Sequence, residues 1–193
     1  MKKIKVIQTI FAAMLFTMFS TAQAAMISIM PAATEVEEGD SFSLDIMFMG
    51  GDGENLADYD FSVMFDDSII SLQSWSFGTE TGFGDGFEGL DLMSDNFVVY
   101  DLSLWSVEDI QAEQADSFVL ITLTFDALME GMTELMVDAE NALVGDEFGV
   151  QLQTIMFESA MVTVTAGDPS NVPAPATFLL ASLLLPAVMR RRK

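Results

Sequence analysis

No lysine, arginine or histidine occurs between Val6 and Met189. The seven basic residues sit at the two ends: Lys2, Lys3 and Lys5, then Arg190, Arg191, Arg192 and Lys193. All 30 acidic residues fall between Glu35 and Asp168, and the chain has no cysteine. A fold built from the middle of this chain must therefore do without side-chain ion pairs and without disulfides. Its stability has to come from apolar burial, for which 16 phenylalanines and 15 methionines are available.

The same segregation excludes several functions. Without side-chain cations no phosphate backbone can be neutralised, so nucleic-acid binding is excluded, as is attraction to an anionic membrane surface. Without His, Cys or Lys in the middle there is no Ser-His, Cys-His or Ser-Lys nucleophile pair and no Schiff base. Zinc sites of the His/Cys kind are impossible. So large a negative field keeps a protein soluble but strains its compact state. It suits a medium rich in salt or divalent cations.

Both ends read as addresses rather than as parts of the fold. Residues 1–24 form a secretory signal peptide: a basic start, an apolar run from Ile7 to Phe19, and an A-x-A site at Ala22-Gln23-Ala24. The mature chain is expected to begin at Ala25, with an uncleaved anchor helix as the alternative. Residues 172–193 carry a turn motif, an apolar run from Ala176 to Met189 and a basic stop from Arg190 to Lys193. The apolar run is 14 residues, roughly 21 Å as a helix, against a bilayer core of about 30 Å. A plain C-terminal anchor is one reading, since tilt or thinning can accommodate a short span.

The order of parts in this tail resembles the PEP-CTERM sorting signal of Gram-negative bacteria. Val172, Pro173, Ala174, Pro175, Ala176 and Thr177 stand at the motif, with Ala174 in place of the glutamate that names it. The resemblance implies a membrane exosortase-type enzyme as partner, cleavage of the tail, and release to the cell surface or extracellular matrix after Sec export. The logic matches other cleaved C-terminal anchors.

Between the ends, residues 25–166 have the length of one domain and residues 167–171 form a polar linker. Met26 to Met30 is a short apolar run ended by Pro31. Ser41 to Met49 alternates, placing Phe42, Leu44, Ile46 and Phe48 on one face, as a half-buried strand does. Ala57, Tyr59, Phe61, Val63 and Phe65 form the next apolar face, and Ile69 to Phe77 the next strand region. Gly78 to Asn96 reads as a long irregular stretch. Phe97 to Trp105 alternates through Val98, Tyr100, Leu102 and Leu104, Val107 to Ala115 has room for one or two helical turns, and Phe118 to Phe125 places Val119, Ile121, Leu123 and Phe125 on one side. Thr133 to Val137, Val150 to Phe157 and Ala160 to Thr165 complete eight or nine expected strands. Strands separated by turn signals, with no long helix, predict an all-β sandwich. Jelly-roll and immunoglobulin-like topologies both fit the periodicity.

The segments V-E-E-G-D-S-F-S-L-D-I (Val36 to Ile46), D-F-S-V-M-F-D-D-S-I-I-S-L (Asp60 to Leu72), F-V-L-I-T-L-T-F-D-A (Phe118 to Ala127) and A-M-V-T-V-T (Ala160 to Thr165) resemble a cohesin-type domain. The resemblance implies a nine-stranded jelly-roll sandwich, here set between the signal peptide and a C-terminal hydrophobic sorting helix. It also implies binding of a dockerin-like protein, or of carbohydrate such as an exopolysaccharide. The polar edges of Ser41 to Met49, Ala57 to Phe65 and Phe97 to Trp105 are the candidate binding face on one sheet.

The expected function is therefore non-enzymatic binding at the cell surface or in the matrix. A carbohydrate-binding module is the alternative, and a polysaccharide hydrolase working through a carboxylate pair is a second. No cofactor is expected other than calcium, which takes oxygen ligands. Asp52, Glu54 and Asn55 form one candidate group, and Asp85, Glu88, Asp91 and Asp95 another. Neither has EF-hand spacing, and both also read as solvated acidic loops. Trp75 and Trp105 are expected in the sandwich core, with stacking on sugar rings as the alternative.

Overall fold

The computed structural model describes residues 24–51, 53–79 and 87–167. Most of the signal peptide, Asp52, Asp85, most of the linker and the whole sorting tail lie outside the described residues. Among the described residues there are twelve strands and one short helix. In chain order they are β1 (Ala25–Met30), β2 (Ala33–Glu37), β3 (Ser41–Met49), β4 (Asp58–Met64), β5 (Ile70–Phe77), β6 (Gly89–Leu92), β7 (Asn96–Leu102), α1 (Val107–Glu113), β8 (Ser117–Ala127), β9 (Gly131–Val137), β10 (Leu143–Gly145), β11 (Ile155–Glu158) and β12 (Ala160–Thr165). No described helix is long and apolar enough to cross a membrane.

The strands form two sheets. The smaller has the order β11-β1-β3-β8-β5, and the larger β2-β12-β9-β4-β7-β6, with β10 also paired to β4. The first strand region divides at Pro31, which has no N–H to offer a ladder. Before it, β1 runs parallel to β11 in the smaller sheet; after it, β2 runs parallel to β12 in the larger. The start of the domain is thereby stitched to its end in both sheets.

Alternation explains most of the core. Leu44, Ile46 and Phe48 point inward from β3, and Tyr59, Phe61 and Val63 from β4, all buried. Phe65 joins the two layers: it packs on Phe97 of its own sheet at 6.1 Å and meets Phe125 of the facing sheet edge-on at 5.7 Å. Fully buried aromatic side chains of this kind contribute more than any other residue type to such a core.

Several expectations are corrected. On β7 the buried residues are Phe97, Val99 and Asp101, whereas Tyr100, Leu102 and the following Leu104 are exposed. Pairing with β4 sets this phase, because Phe97 lies opposite Val63 and Val99 opposite Phe61, both inward. On β8 a register shift falls between Ile46 and Met47 of its partner. Leu120 is the extra residue, so Phe118 and Leu120 are buried before it and Ile121, Leu123 and Phe125 after it, while Val119 is only half-buried. A bulge of this kind exchanges the faces of a strand. The stretch Gly78 to Asn96 contains β6, and Val150 to Phe157 becomes strand only from Ile155. The tryptophans are not core residues: Trp75 is 42% exposed and Trp105 38%. Trp75 lies opposite the inward-facing Leu123 in register, but near the end of edge strand β5.

Candidate docking surface

The outer faces of the two sheets differ in chemistry. On the smaller sheet the outward residues of β3 and β8 nearest β5 are hydroxyls and carboxylates that satisfy one another, while toward β11 the outward row is Met49, Met26 and the exposed Met156. Ser41 Oγ donates to Asp126 Oδ1 at 2.6 Å, Ser43 and Thr124 hydroxyls lie 3.1 Å apart, and Thr122 Oγ1 donates to Asp45 Oδ1 at 2.6 Å. Ser71, Ser74 and Ser76 of β5 continue the polar rows beside Asp126, Thr124 and Thr122. The polar groups at the β3–β8–β5 end of this face already bond each other and have little left to offer a partner.

The larger sheet presents the opposite surface. Inward Tyr59, Phe61 and Val63 leave Asp58, Asp60, Ser62 and Met64 outward on β4; inward Thr133, Leu135 and Val137 leave Met132, Glu134 and Met136 outward on β9. Met64 lies opposite Met136, Ser62 opposite Val98, Asp60 opposite Tyr100 and Asp58 opposite Leu102. Met132 is 62% exposed, and Leu143, Leu102, Met64, Met136 and Tyr100 are also solvent-facing. Tyr100 is set by its neighbour, since any side chain at Gly89 would collide with the tyrosine ring. These apolar side chains interleave with Asp58, Asp60, Ser62 and Glu134, and clustered exposed apolar residues of this kind make the face the candidate for docking.

The expectation that β3, β4 and β7 share one binding face is corrected by the topology: β3 belongs to the smaller sheet, β4 and β7 to the larger. Met132, Glu134 and Met136 were not singled out in the sequence. Their strand was legible, but methionine counts as apolar and obscures which face is outer.

Beside the methionines lies an open groove of about 530 Å³, lined by Met64, Phe65, Asp66, Asp67, Asp95, Met132, Thr133, Glu134 and Met136. Asp66 Oδ1 accepts from the Ser68 hydroxyl at 2.6 Å and from its backbone N–H at 3.0 Å. These bonds, the hydroxyl's foremost, hold the Asp66 carboxyl below the ordinary carboxylate range. Its own N–H donates to Thr133 Oγ1 at 2.9 Å, which ties the corner to β9. The result is a thioether floor with a carboxylate rim. Methionine adapts to varied apolar shapes, and the long stems of lysine and arginine cover apolar surface while their heads stay with charge.

At the far end of the same face, burial foremost and the Asp146 charge after it push the Asp58 carboxyl upward. Asp101, inward on β7, accepts from Leu102 N at 2.7 Å and lies opposite Tyr59. Burial, then Asp101 and Glu88, push the Tyr59 phenol upward, so it stays protonated.

The calcium candidates are dispersed. Glu54 Oε2 accepts from Ala25 N at 3.1 Å, Asn55 is half-buried in the same loop, Glu88 precedes β6, Asp91 is outward on β6, and Asp95 lines the groove. Among the described residues no three metal-ligating side chains are gathered. Asp52 and Asp85, and the motif Val172 to Thr177 with its basic stop, lie outside the described residues.

No family model and no curated protein matches the chain. Solved structures do. The sixth cohesin of scaffoldin B from Acetivibrio cellulolyticus, solved in complex with a dockerin, is similar at TM-score 0.62 and 15% identity, over 74% of this chain and 100% of that one. The seventh type I cohesin of a Pseudobacteroides cellulosolvens scaffoldin gives 0.58 and 17%, over 78% and 98%. A non-cellulosomal cohesin from the archaeon Archaeoglobus fulgidus gives 0.57 and 9%, over 74% and 92%. Likeness at these identities speaks for the fold alone, and on that ground the domain has the cohesin-type jelly-roll fold.

Proposed function

We propose that this chain is an exported, non-enzymatic binding protein that docks a partner protein on the outer face of its larger sheet. The observation that carries this is the group of exposed apolar residues on the outer face of the larger sheet, Met64, Met132, Met136, Tyr100, Leu102 and Leu143, interleaved with carboxylates, where the smaller sheet exposes Met156 beside a self-bonded hydroxyl and carboxylate ladder. The partner is a dockerin-like protein presenting lysine or arginine beside apolar side chains. Support for that class comes from the similar cohesins, one of which was solved with a dockerin bound. The tail from Val172 to Lys193 sorts the protein, through an exosortase-type enzyme, to the cell surface or matrix.

The test is titration of the exported protein with dockerin-type proteins encoded by the same genome. Met132→Glu combined with Tyr100→Ala should weaken binding at least about tenfold, or about 1.4 kcal/mol, while Thr124→Ala on the other sheet leaves it unchanged. Equal losses from both faces, or no binding by any such protein, would remove this reading. Intact mass of the surface protein tests the sorting claim: loss of the segment after about Pro175 is expected, and retention of Arg190 to Lys193 would leave a plain anchor.

A second reading, binding of an exopolysaccharide, is favoured by the exposure of Trp75 and Trp105. Exposed aromatic faces stack on sugar rings. Matrix polysaccharide binding that is lost in Trp75→Ala but kept in the double variant above would replace protein docking with carbohydrate binding.

A further inference from the structure

Ala25 opens β1 and is fully buried. Its backbone nitrogen donates to Glu54 Oε2 at 3.1 Å, across 29 residues of sequence. The loop that carries Glu54 is fixed on both sides. Gly50 lies so close to the Glu54 carbonyl that a side chain there would collide with it, and Gly50 N–H donates to Asp116 O at 2.8 Å. Two residues beyond Glu54, both backbone groups of Leu56 are held by the Gln114 side chain, at 2.6 Å and 2.8 Å. The carboxylate is therefore preset against the first residue of the sandwich.

The expected signal-peptide cut falls on the bond between Ala24 and Ala25. Hydrolysis breaks that C–N bond. The hydroxyl of water goes to the Ala24 carbonyl carbon and a proton to the Ala25 nitrogen. At neutral pH the new Ala24 acid releases its proton and the new amine takes one up, so the charges balance. We propose that Glu54 is the counter-ion site for the α-ammonium of Ala25, so that processing creates a cation where the fold already holds its partner. The proposal rests on the export and processing reading above.

The sequence makes this ammonium unusual. Between Val6 and Met189 there is no other basic group, so it is the only cation that the sandwich can own. A charge placed at a buried position is costly unless paired, and an ammonium donor adds the attraction of a second charge to a bond that the carboxylate alone assists before cleavage. With the signal peptide attached, the nitrogen is a neutral amide and this gain is absent. Cleavage thus adds stability to the domain at its first strand.

The test uses the exported protein and an amine-acylating reagent. Intact mass first fixes the start of the chain. The Ala25 α-amine is then the only amine before Lys193, and peptide mapping separates the two where the tail is retained. Acylation at Ala25 should be at least about tenfold slower in the native protein than in urea, the factor for one unit of amine pKa. Glu54→Gln should bring the native rate toward the unfolded one while the β circular dichroism persists. Should that variant fail to fold, the pH dependence of the wild-type rate decides: pairing with Glu54 moves its midpoint above the unfolded value, whereas burial alone moves it below, which would overturn the proposal. A start at Ala25 with equal native and unfolded rates overturns the counter-ion proposal and leaves processing intact. A start elsewhere overturns both.

Discussion

The Asp58 carboxylate occupies the space that a side chain on Gly145 would need. The two residues face each other in the pairing of β10 with β4, so glycine at 145 leaves the room that the Asp58 carboxylate takes. Gly145→Ala should destabilise the domain by about 1–3 kcal/mol, as overpacking does. Adding Asp58→Ala should return most of that loss, because the clash and its partner disappear together. Urea denaturation of the two single variants and the double variant measures the coupling.

The same carboxylate gives a pH signature. Asp58 has its folded pKa raised, first by burial and then by Asp146. A raised carboxyl contributes stability below its unfolded pKa, and that contribution is lost as pH rises through the folded value. At pH 7 the ionised group is therefore a cost. Asp58→Asn should raise the melting temperature at neutral pH by no more than about 2 °C, with the advantage gone below about pH 4. Asp66 has the opposite sign, since Ser68 lowers its pKa. Asp66→Asn should lower stability at pH 7, with the difference closing as pH falls. Melting curves across pH 3 to 8 check both.

Phe65 is buried between Phe97 and Phe125, which belong to different sheets. Phe65→Ala should cost about 3–5 kcal/mol, the range for emptying a buried aromatic site. Phe65→Leu should cost less. Chemical denaturation gives both values, and a loss near zero for the alanine variant would mean that the sheets do not meet through this ring.

Salt should stabilise the domain. The acidic side chains repel one another with no side-chain cation between them, and unfolding lets them separate. The screening length is about 10 Å at 0.1 M salt, so the melting temperature should still rise above that concentration. Calcium bound in the folded state by the candidate carboxylates would add stability by mass action. Thermal unfolding in NaCl and CaCl2 at matched ionic strength separates screening from binding. Equal curves would remove the calcium sites, and a fall in melting temperature from low to moderate NaCl would overturn the charge argument.

Strands β3 and β4 were legible because each has one apolar and one polar face, as in Phe42, Leu44, Ile46 and Phe48 of β3. On β7 both faces are apolar, so alternation has no unique phase and only Phe61 and Val63 across the ladder decide it. The bulge at Leu120 leaves no mark in a run of consecutive apolar residues. Strand β2 is short and polar on its outward face, and owes its existence to β12, whose sequence lies far downstream. The candidate docking surface was hidden for a related reason: Met64, Met132 and Met136 are apolar by composition and outward only by register.

The parallel pairing of the first and last strands also sets how this domain carries a pull. Five residue pairs join β2 to β12 and four join β1 to β11. Tension between the two ends of the domain draws these neighbouring strands past one another along their length. The ladder bonds are then loaded together in shear rather than opened one at a time from an end. A domain pulled between its amino and carboxyl ends resists at these two seams first, and stays folded until they slip as units.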